Sequence, residues 1–280
     1  YIHWYPVCPE VECGLPVPRE PMMLVGKPEA PRLLTINTGI DHTEQIQGWA
    51  ETKIEKIANW GLSGFVFKSR SPSCGIRDVN IFDNHGCVTA IDSGLFVKAM
   101  RTKFPLMPME DEARLTSLQA RESFFRKVFV YKRWQDLVTK GLDRAGFMDF
   151  HSSHKLLMLA HSPEHYRRLG RLMAGQKGYK LDELAKVYID LMAEGLGRHA
   201  TIGRHVNVLQ HILGYFRRSL GVDERGHLLT LIHKYQNGEV SLIEPLIALR
   251  QYAERYDSKY LLGQAYLELL PIKLATGQNV

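Results

Sequence analysis

Long apolar runs are missing from this sequence. None approaches the roughly 18 consecutive residues needed to span a bilayer, and no basic-then-apolar leader opens the chain. These absences argue against a membrane partner and for a cytoplasmic protein. Cysteine is scarce, with four in 280 residues (Cys8, Cys13, Cys74 and Cys87). That is too few for a disulfide scaffold in a chain of this size, so the thiols are metal ligands, reactive groups or core residues. Proline is scarce after Leu118, since ten of the thirteen lie before it. The chain starts at Tyr1, in YIHWYPV, which reads as a strand already under way, and native residues are expected upstream.

What is present divides at about the same point. Residues 1–118 carry 12 Lys and Arg against 14 Asp and Glu, a net of −2, and residues 119–280 carry 24 against 16, a net of +8. The basic balance therefore belongs to the second part, where a positive surface concentrates polyanions. The first part alternates period-2 and period-3.6 patterns. RLLTINTG reads as a strand ending in a turn. Asp41 to Trp60 places Ile46, Trp49, Ile54 and Ile57 at helical spacing, and GLSGFVFKS is a strand leading into SPSCG. This order predicts an α/β domain with a short, mainly parallel sheet and flanking helices, its site beyond the carboxyl ends of the strands. The second part reads as an all-α helical bundle. In SPEHYRRLGRLMA, Ser162 is the expected N-cap and Pro163 the first helical residue.

Two cysteines stand in loops framed by Pro, Gly and Ser: Cys8 in PVCPEVECGLPVPREP and Cys74 in KSRSPSCGI. Spacing leaves several readings open. Free cysteine is most often a small buried hydrophobe. The five-residue gap between Cys8 and Cys13 is a weak zinc signal, and no thiol-protease signature accompanies either residue. An iron–sulfur cluster needs only thiolates converging from separate loops.

The stretches PVCPEVECGLPVPREP, DHTE and FKSRSPSCG resemble the TudS thiouracil desulfurase family. FHSSHKLLMLAHSPEHYRRLGRL, NVLQHILGYF and QAYLELLP resemble the YbgA-type helical domain. The pairing, over nearly the whole chain, is similar to the RudS-type fusions that desulfurate 4-thiouridine in tRNA. The resemblance implies a desulfurase domain over 1–118 and a helical, tRNA-binding domain over 119–280. It further implies a [4Fe-4S] cluster held by three cysteines with one iron open, Cys8 and Cys74 among them and the third expected upstream of Tyr1. Cys13 and Cys87 match no ligand position.

Hydrolysis of a carbon–sulfur bond at such an iron requires a proton shuttle. Glu10, two residues from Cys8, is the candidate, its other role being to accept loop amides. Ser71 and Ser73 are placed to orient water or bond the cluster sulfurs, or else to cap the turn. Arg19 either binds a base or phosphate or pairs with an acid. For RNA, Lys132, Arg133, Arg167, Arg168, Arg171, Arg217 and Arg218 are clustered enough to track a phosphate backbone, with Arg198 and Arg204 as further candidates. The partner expected is thus tRNA carrying 4-thiouridine, with no obligatory protein partner. Free thio-bases are the alternative substrate, and a nucleic-acid-binding protein with a structural or redox-sensing cysteine domain is the alternative of another class. His151, His154, His161, His205 and His211 lack the H-E-x-x-H pattern and read as packing, capping or RNA contacts. Phe124, Phe125, Phe129 and Trp134 read as core.

Overall fold

The computed structural model describes residues 2–268. They form two compact units, one reaching to Lys132 and the other starting at Arg133. The first is α/β and the second is helical. No helix of the described residues is long and apolar enough to cross a membrane.

The first unit begins with a single helical turn, α1 (Pro9–Glu12), followed by β1 (Met22–Lys27), β2 (Ala30–Thr35) and α2 (Thr43–Ala58). Then come β3 (Phe65–Phe67), β4 (Val79–Phe82), β5 (Val88–Asp92), α3 (Leu95–Lys103) and β6 (Met109–Asp111). Four strands make one sheet in the order β2-β1-β4-β5, while β3 and β6 form a separate pair. The expectation of a mainly parallel sheet is corrected here. β1 with β4 and β3 with β6 are parallel, but β1 with β2 and β4 with β5 are antiparallel. Short turns are the cause, because a tight turn can join only antiparallel strands. Lys27 faces Ala30 across a two-residue turn. Between β4 and β5, Asp83 Oδ1 accepts the amides of His85 and Cys87 at 2.8 and 2.9 Å. MMLVGK, the strand before RLLT, escaped the sequence reading.

Apolar spacing sets the core. Pro31, Leu33 and Thr35 alternate inward along β2. Ile46, Ala50, Ile54 and Ile57 form the buried stripe of α2, and Trp49 tilts onto Phe96 of α3 at 5.0 Å between ring centroids. Phe67, Ile76, Phe96, Val97 and Met100 continue this core, with Cys74 packed against it.

The point of division lies in α4 (Leu118–Thr139). Phe124 and Val128 of its first half press on the backbone before β3. A Cβ on Gly64 would meet Val128 Cγ2 at 2.7 Å and Phe124 Cζ at 3.3 Å.

The second unit continues with α5 (Arg144–His161), α6 (Pro163–Ala174), α7 (Leu181–Gly197) and α8 (Ile202–Tyr215). It ends with α9 (Val222–Gln236), α10 (Ile243–Arg255) and α11 (Lys259–Leu262). Ser162 caps α6 by accepting the His165 amide, with Pro163 in the first turn, as its sequence indicates. Trp134 packs edge-on against Phe147 and Phe150 at 5.6 and 5.3 Å and stacks on Tyr188. Phe124, Phe125 and Trp134 are all buried.

Most of the singled-out histidines hold this unit together. His154 Nδ1 lies 2.7 Å from Phe150 O, His161 Nδ1 2.9 Å from Arg198 O, and His205 Nδ1 2.8 Å from the Tyr266 hydroxyl. His151 Nδ1 lies 3.1 Å from the Tyr188 hydroxyl. Burial lowers His151 and His154 to about 4, helped for His151 by the Lys155 charge.

Candidate active site

Cys8 caps α1 from an extended conformation, with Pro9 at the first helical position. Its carbonyl accepts the Glu12 amide at 2.9 Å, and its own amide donates to Glu12 Oε1 at 3.2 Å. The turn is tied to α2 by Lys53 Nζ on Glu12 Oε2 at 2.7 Å and by Gln45 Nε2 on Cys13 O at 2.8 Å. Gly14, at φ +97°, lets the chain reverse so that the Leu15 amide returns to Glu10 O at 3.0 Å. The Cys13 thiol is held by the same carbonyl at 3.3 Å, and Cys87 is exposed near the β4–β5 turn.

The Cys74 loop leaves β3 and is bracketed by Arg70 and Asp78, both left-handed at φ 57° and 56°. The Gly75 amide closes the loop on Ser71 O at 2.6 Å. The start of α3 then supplies three donors: Gly94 N to Gly75 O at 2.8 Å, Phe96 N to Ser73 O at 2.9 Å, and Leu95 N to Pro72 O at 3.4 Å. The first amides of a helix have no partner within it, and here the cysteine loop provides partners. Gly94 has to be glycine for this approach. A Cβ there would lie 2.6 Å from Ser73 C and 2.7 Å from Cys74 N.

Glu10 joins the two cysteine loops. Its Oε1 accepts the Ser73 hydroxyl at 2.6 Å, its Oε2 accepts Arg19 Nε at 2.6 Å, and Ser71 Oγ lies 3.4 Å from Oε1. Ser71 and Ser73 hydroxyls are 2.9 Å apart. Because the single Ser73 proton goes to the carboxylate, Ser71 donates to Ser73, and Ser71 Oγ in turn faces the Cys74 amide at 3.4 Å. Ser73 is completely buried. Hydroxyl bonds to a carboxylate are charge-assisted and contribute about 1.5–3 kcal/mol. The carboxylate is thereby fixed in place between both cysteine loops. Burial pushes the Cys74 thiol up, against hydrogen bonds from Ser71 and Ser73, and the nearby Glu10 charge adds to the rise.

Two features at this loop escaped the sequence reading. Glu112 accepts Lys68 Nζ at 2.6 Å, the Ser69 hydroxyl at 2.9 Å and the Ser69 amide at 2.7 Å, pinning the strand end that leads to Cys74. Desolvation raises the Glu112 carboxyl, but these bonds overcome it and hold the group at about 2. Arg70 is exposed and makes no hydrogen bond or ion pair among the described residues. Its signal was visible inside FKSRSPSCG. A cleft of about 770 Å³ also opens on this unit, with Trp4, Tyr5, Trp60, Phe65 and Lys132 among its walls, and it reaches Val7, next to Cys8.

Tested as metal ligands, Cys8 and Cys74 are two thiols on loops joined by Glu10. Among the described residues no set of three His, Cys, Asp or Glu side chains gathers around a common point. Cys8, Cys13 and Cys74 are all free thiols, half-buried, and free thiols are the residue type an iron–sulfur cluster takes.

The basic candidates are placed unevenly. Lys132 lies in the first unit, on the cleft wall, and the others belong to the second. Arg133 pairs with Glu268, Arg168 with Glu164 at 3.6 Å, and Arg198 with Glu194 at 3.4 Å. Arg204 caps α5, donating to His161 O at 2.8 Å. Arg167, Arg171, Arg217 and Arg218 are exposed and unpaired among the described residues.

Comparison with known proteins bears on both units. Residues 1–112 match the family model described as 2-thiouracil desulfurase. Residues 155–271 match the model described as a protein of unknown function, DUF1722. The Escherichia coli (strain K12) protein named "Uncharacterized protein YbgA" is 36% identical over 151 residues, which cover 54% of this chain and 89% of that protein. No solved structure matches significantly.

Proposed function

The chain belongs to the YbgA family through its C-terminal part and carries a 2-thiouracil desulfurase family domain in front of it, and on that footing we propose that it hydrolyses 4-thiouridine in tRNA to uridine and sulfide. The family domain supports desulfuration of thio-bases, and with it an enzymatic activity. The tRNA substrate and the dependence on an iron–sulfur cluster are our own reading.

The observation that carries it is the Glu10 carboxylate, held at 2.6 Å by Ser73 and at 2.6 Å by Arg19 between the two cysteine loops. Converting a thiocarbonyl to a carbonyl consumes one water and needs no electrons. Water oxygen bonds to the ring carbon, the carbon–sulfur bond breaks, and sulfur leaves as hydrosulfide. The proton lost by water needs an acceptor within hydrogen-bond reach, and Glu10 takes it. Ser73 and Ser71 form a short hydroxyl chain from that carboxylate towards the Cys74 amide, and Arg19 fixes the other carboxylate oxygen. A [4Fe-4S] cluster held by Cys8, Cys74 and a third thiolate would supply, when bound, an iron that attracts the thiocarbonyl sulfur. The unpaired arginines of the helical unit favour RNA over a free base, since a small base offers no phosphate for them.

The test uses the full chain reconstituted with iron and sulfide under anaerobic conditions. Thiolated tRNA is added, and loss of the near-ultraviolet 4-thiouridine band is followed with sulfide release, Cys74→Ala serving as the control. Band loss with stoichiometric sulfide in the wild type and none in Cys74→Ala is expected. An unchanged band on tRNA alongside turnover of free 4-thiouracil would overturn the RNA substrate and keep the desulfurase. Inactivity on both would leave a nucleic-acid-binding or redox-sensing protein.

A further inference from the structure

The helical unit exposes an aromatic surface. Tyr215, the last residue of α8, stacks on Tyr260 of α11 with ring centroids 5.1 Å apart and planes inclined by 28°. The two are 49% and 37% exposed. Tyr179 is also exposed in this unit, but among the described residues these two are the exposed tyrosines stacked on one another. His211, one helical turn before Tyr215, meets it edge-on at 5.5 Å. Tyr166 of α6 lies near enough for its phenol to act on Tyr260, whose acidity is lowered first by burial and then by a hydrogen bond with Tyr215. Rings of α8 and α11 thus meet at one place on the surface, and the Tyr166 phenol of α6 is felt there electrostatically.

Two properties separate this group from ordinary surface tyrosines. It is anchored, because Ile212, Leu213 and Phe216 next to Tyr215, and Leu261 next to Tyr260, are buried. Rings held in this way lose little freedom when another flat group lands on them. It is also bordered by positive charge. Arg217 and Arg218 follow Tyr215 after the buried Phe216, in the turn that ends α8, exposed and unpaired among the described residues. Arg167 follows Tyr166 in the same state. Aromatic faces interleaved with unpaired cations suit a strand that offers bases and phosphates alternately, and they suit an apolar protein partner poorly.

We propose that the Tyr215–Tyr260 pair is a stacking platform for an unpaired nucleobase of RNA, with Arg217 and Arg218 on the adjoining phosphates; it rests on the RNA reading above and names the surface that would carry it. One base on an aromatic side chain is worth roughly a 5- to 150-fold change in affinity. Tyr215→Leu in the full chain should therefore weaken binding of a fluorescein-labelled tRNA transcript by that range, measured by anisotropy at several salt concentrations. Tyr215→Trp should keep the affinity, since it restores a flat face. The slope of log affinity against log salt should be unchanged in Tyr215→Leu and reduced by about one to two in Arg217→Gln/Arg218→Gln.

Tyr260→Leu is a second variant should the first fail to fold, folding being checked by circular dichroism and melting temperature. Wild-type affinity in both folded leucine variants would overturn the platform while leaving RNA binding intact. Equal weakening by Tyr215→Leu and Tyr215→Trp would overturn it too, because a merely structural role does not distinguish ring from ring. Absence of tRNA binding by the wild type would end the RNA reading itself, and the platform with it.

Discussion

Gly94→Ala is the perturbation that most directly tests how the cysteine loop is held. The new Cβ would sit 2.6 Å from Ser73 C, 2.7 Å from Ser73 O and 2.7 Å from Cys74 N, all of them backbone atoms. No rotamer relieves such contacts. Reaching an ordinary 3.4 Å separation requires the loop and the start of α3 to part by about 0.7–0.8 Å. The Phe96 N to Ser73 O bond, now 2.9 Å, would open beyond hydrogen-bonding range. Overpacking of this kind costs about 1–3 kcal/mol, and each lost backbone bond adds about 0.5–1.5 kcal/mol. At roughly 4 °C per kcal/mol, melting of the first unit should fall by several degrees. The same displacement moves Cys74 and Ser73 relative to Glu10, and a shift near 1 Å can reduce turnover by about a hundredfold. The assay is a thermal scan with sulfide release measured on the same preparation. Gly48→Ala is the control, an α2 position with nothing within 4 Å of the added Cβ, which should gain about 0.5–1 kcal/mol. Wild-type melting and turnover in Gly94→Ala would refute this account of the loop.

Glu10→Gln keeps the size of the side chain and one accepted bond, from Arg19, while its NH2 donates to Ser73 instead of accepting. It removes the proton acceptor, so turnover should fall by roughly 10²–10⁴-fold with thiolated-RNA affinity held, read as kcat against KM. Ser73→Ala deletes a buried charge-assisted bond and should destabilise the first unit by about 1.5–3 kcal/mol, measured from the urea midpoint; a loss below 0.5 kcal/mol would count against the 2.6 Å contact. Acidification should weaken the helical unit. His151 and His154 stay neutral in the fold down to about 4, whereas unfolded histidine takes a proton near pH 6.5. The unfolded state therefore binds more protons across that window, and stability drops from pH 6.5 to about 4 and levels off below. One histidine contributes about 3 kcal/mol of this. A flat urea midpoint for that unit between pH 6.5 and 4 would contradict it.

Period and punctuation made much of the fold legible in the sequence. The stripe of α2, the strand that leads into SPSCG and the Ser162–Pro163 helix start are local features, written in neighbouring residues. Strand pairing is not local. β1 and β2 are joined by the two-residue turn Pro28-Glu29, which carries no Asn-Gly or Asp-Gly signal, so the hairpin is hidden in the sequence and a mainly parallel sheet is expected from it. The candidate site was legible as residue types in two loops, but its wiring was not. That Ser73 bonds Glu10 across 63 positions, and that Glu112 reaches back 44 positions to Lys68, are facts of tertiary packing. Charge counting had the opposite weakness. It points to seven clustered basic residues with Arg198 and Arg204 as further candidates, yet Arg204 caps a helix and Arg133 is paired, while Arg217 and Arg218 remain unpaired among the described residues.

The three amides at the start of α3 donate to carbonyls of the Cys74 loop, and this has a consequence for how the first unit folds. Neither partner is complete alone. The helix lacks its opening hydrogen bonds until the loop has closed, and the loop has nothing to close upon until the helix has turned. Such mutual dependence makes the two a single cooperative unit, so exchange of the Gly94 and Phe96 amide protons with solvent reports on loop opening. Unfastening the cysteine loop therefore means unravelling the first turn of a helix whose Phe96 and Val97 are wholly buried. The loop has no low-energy route to swing aside, and Cys74 holds its place against α3.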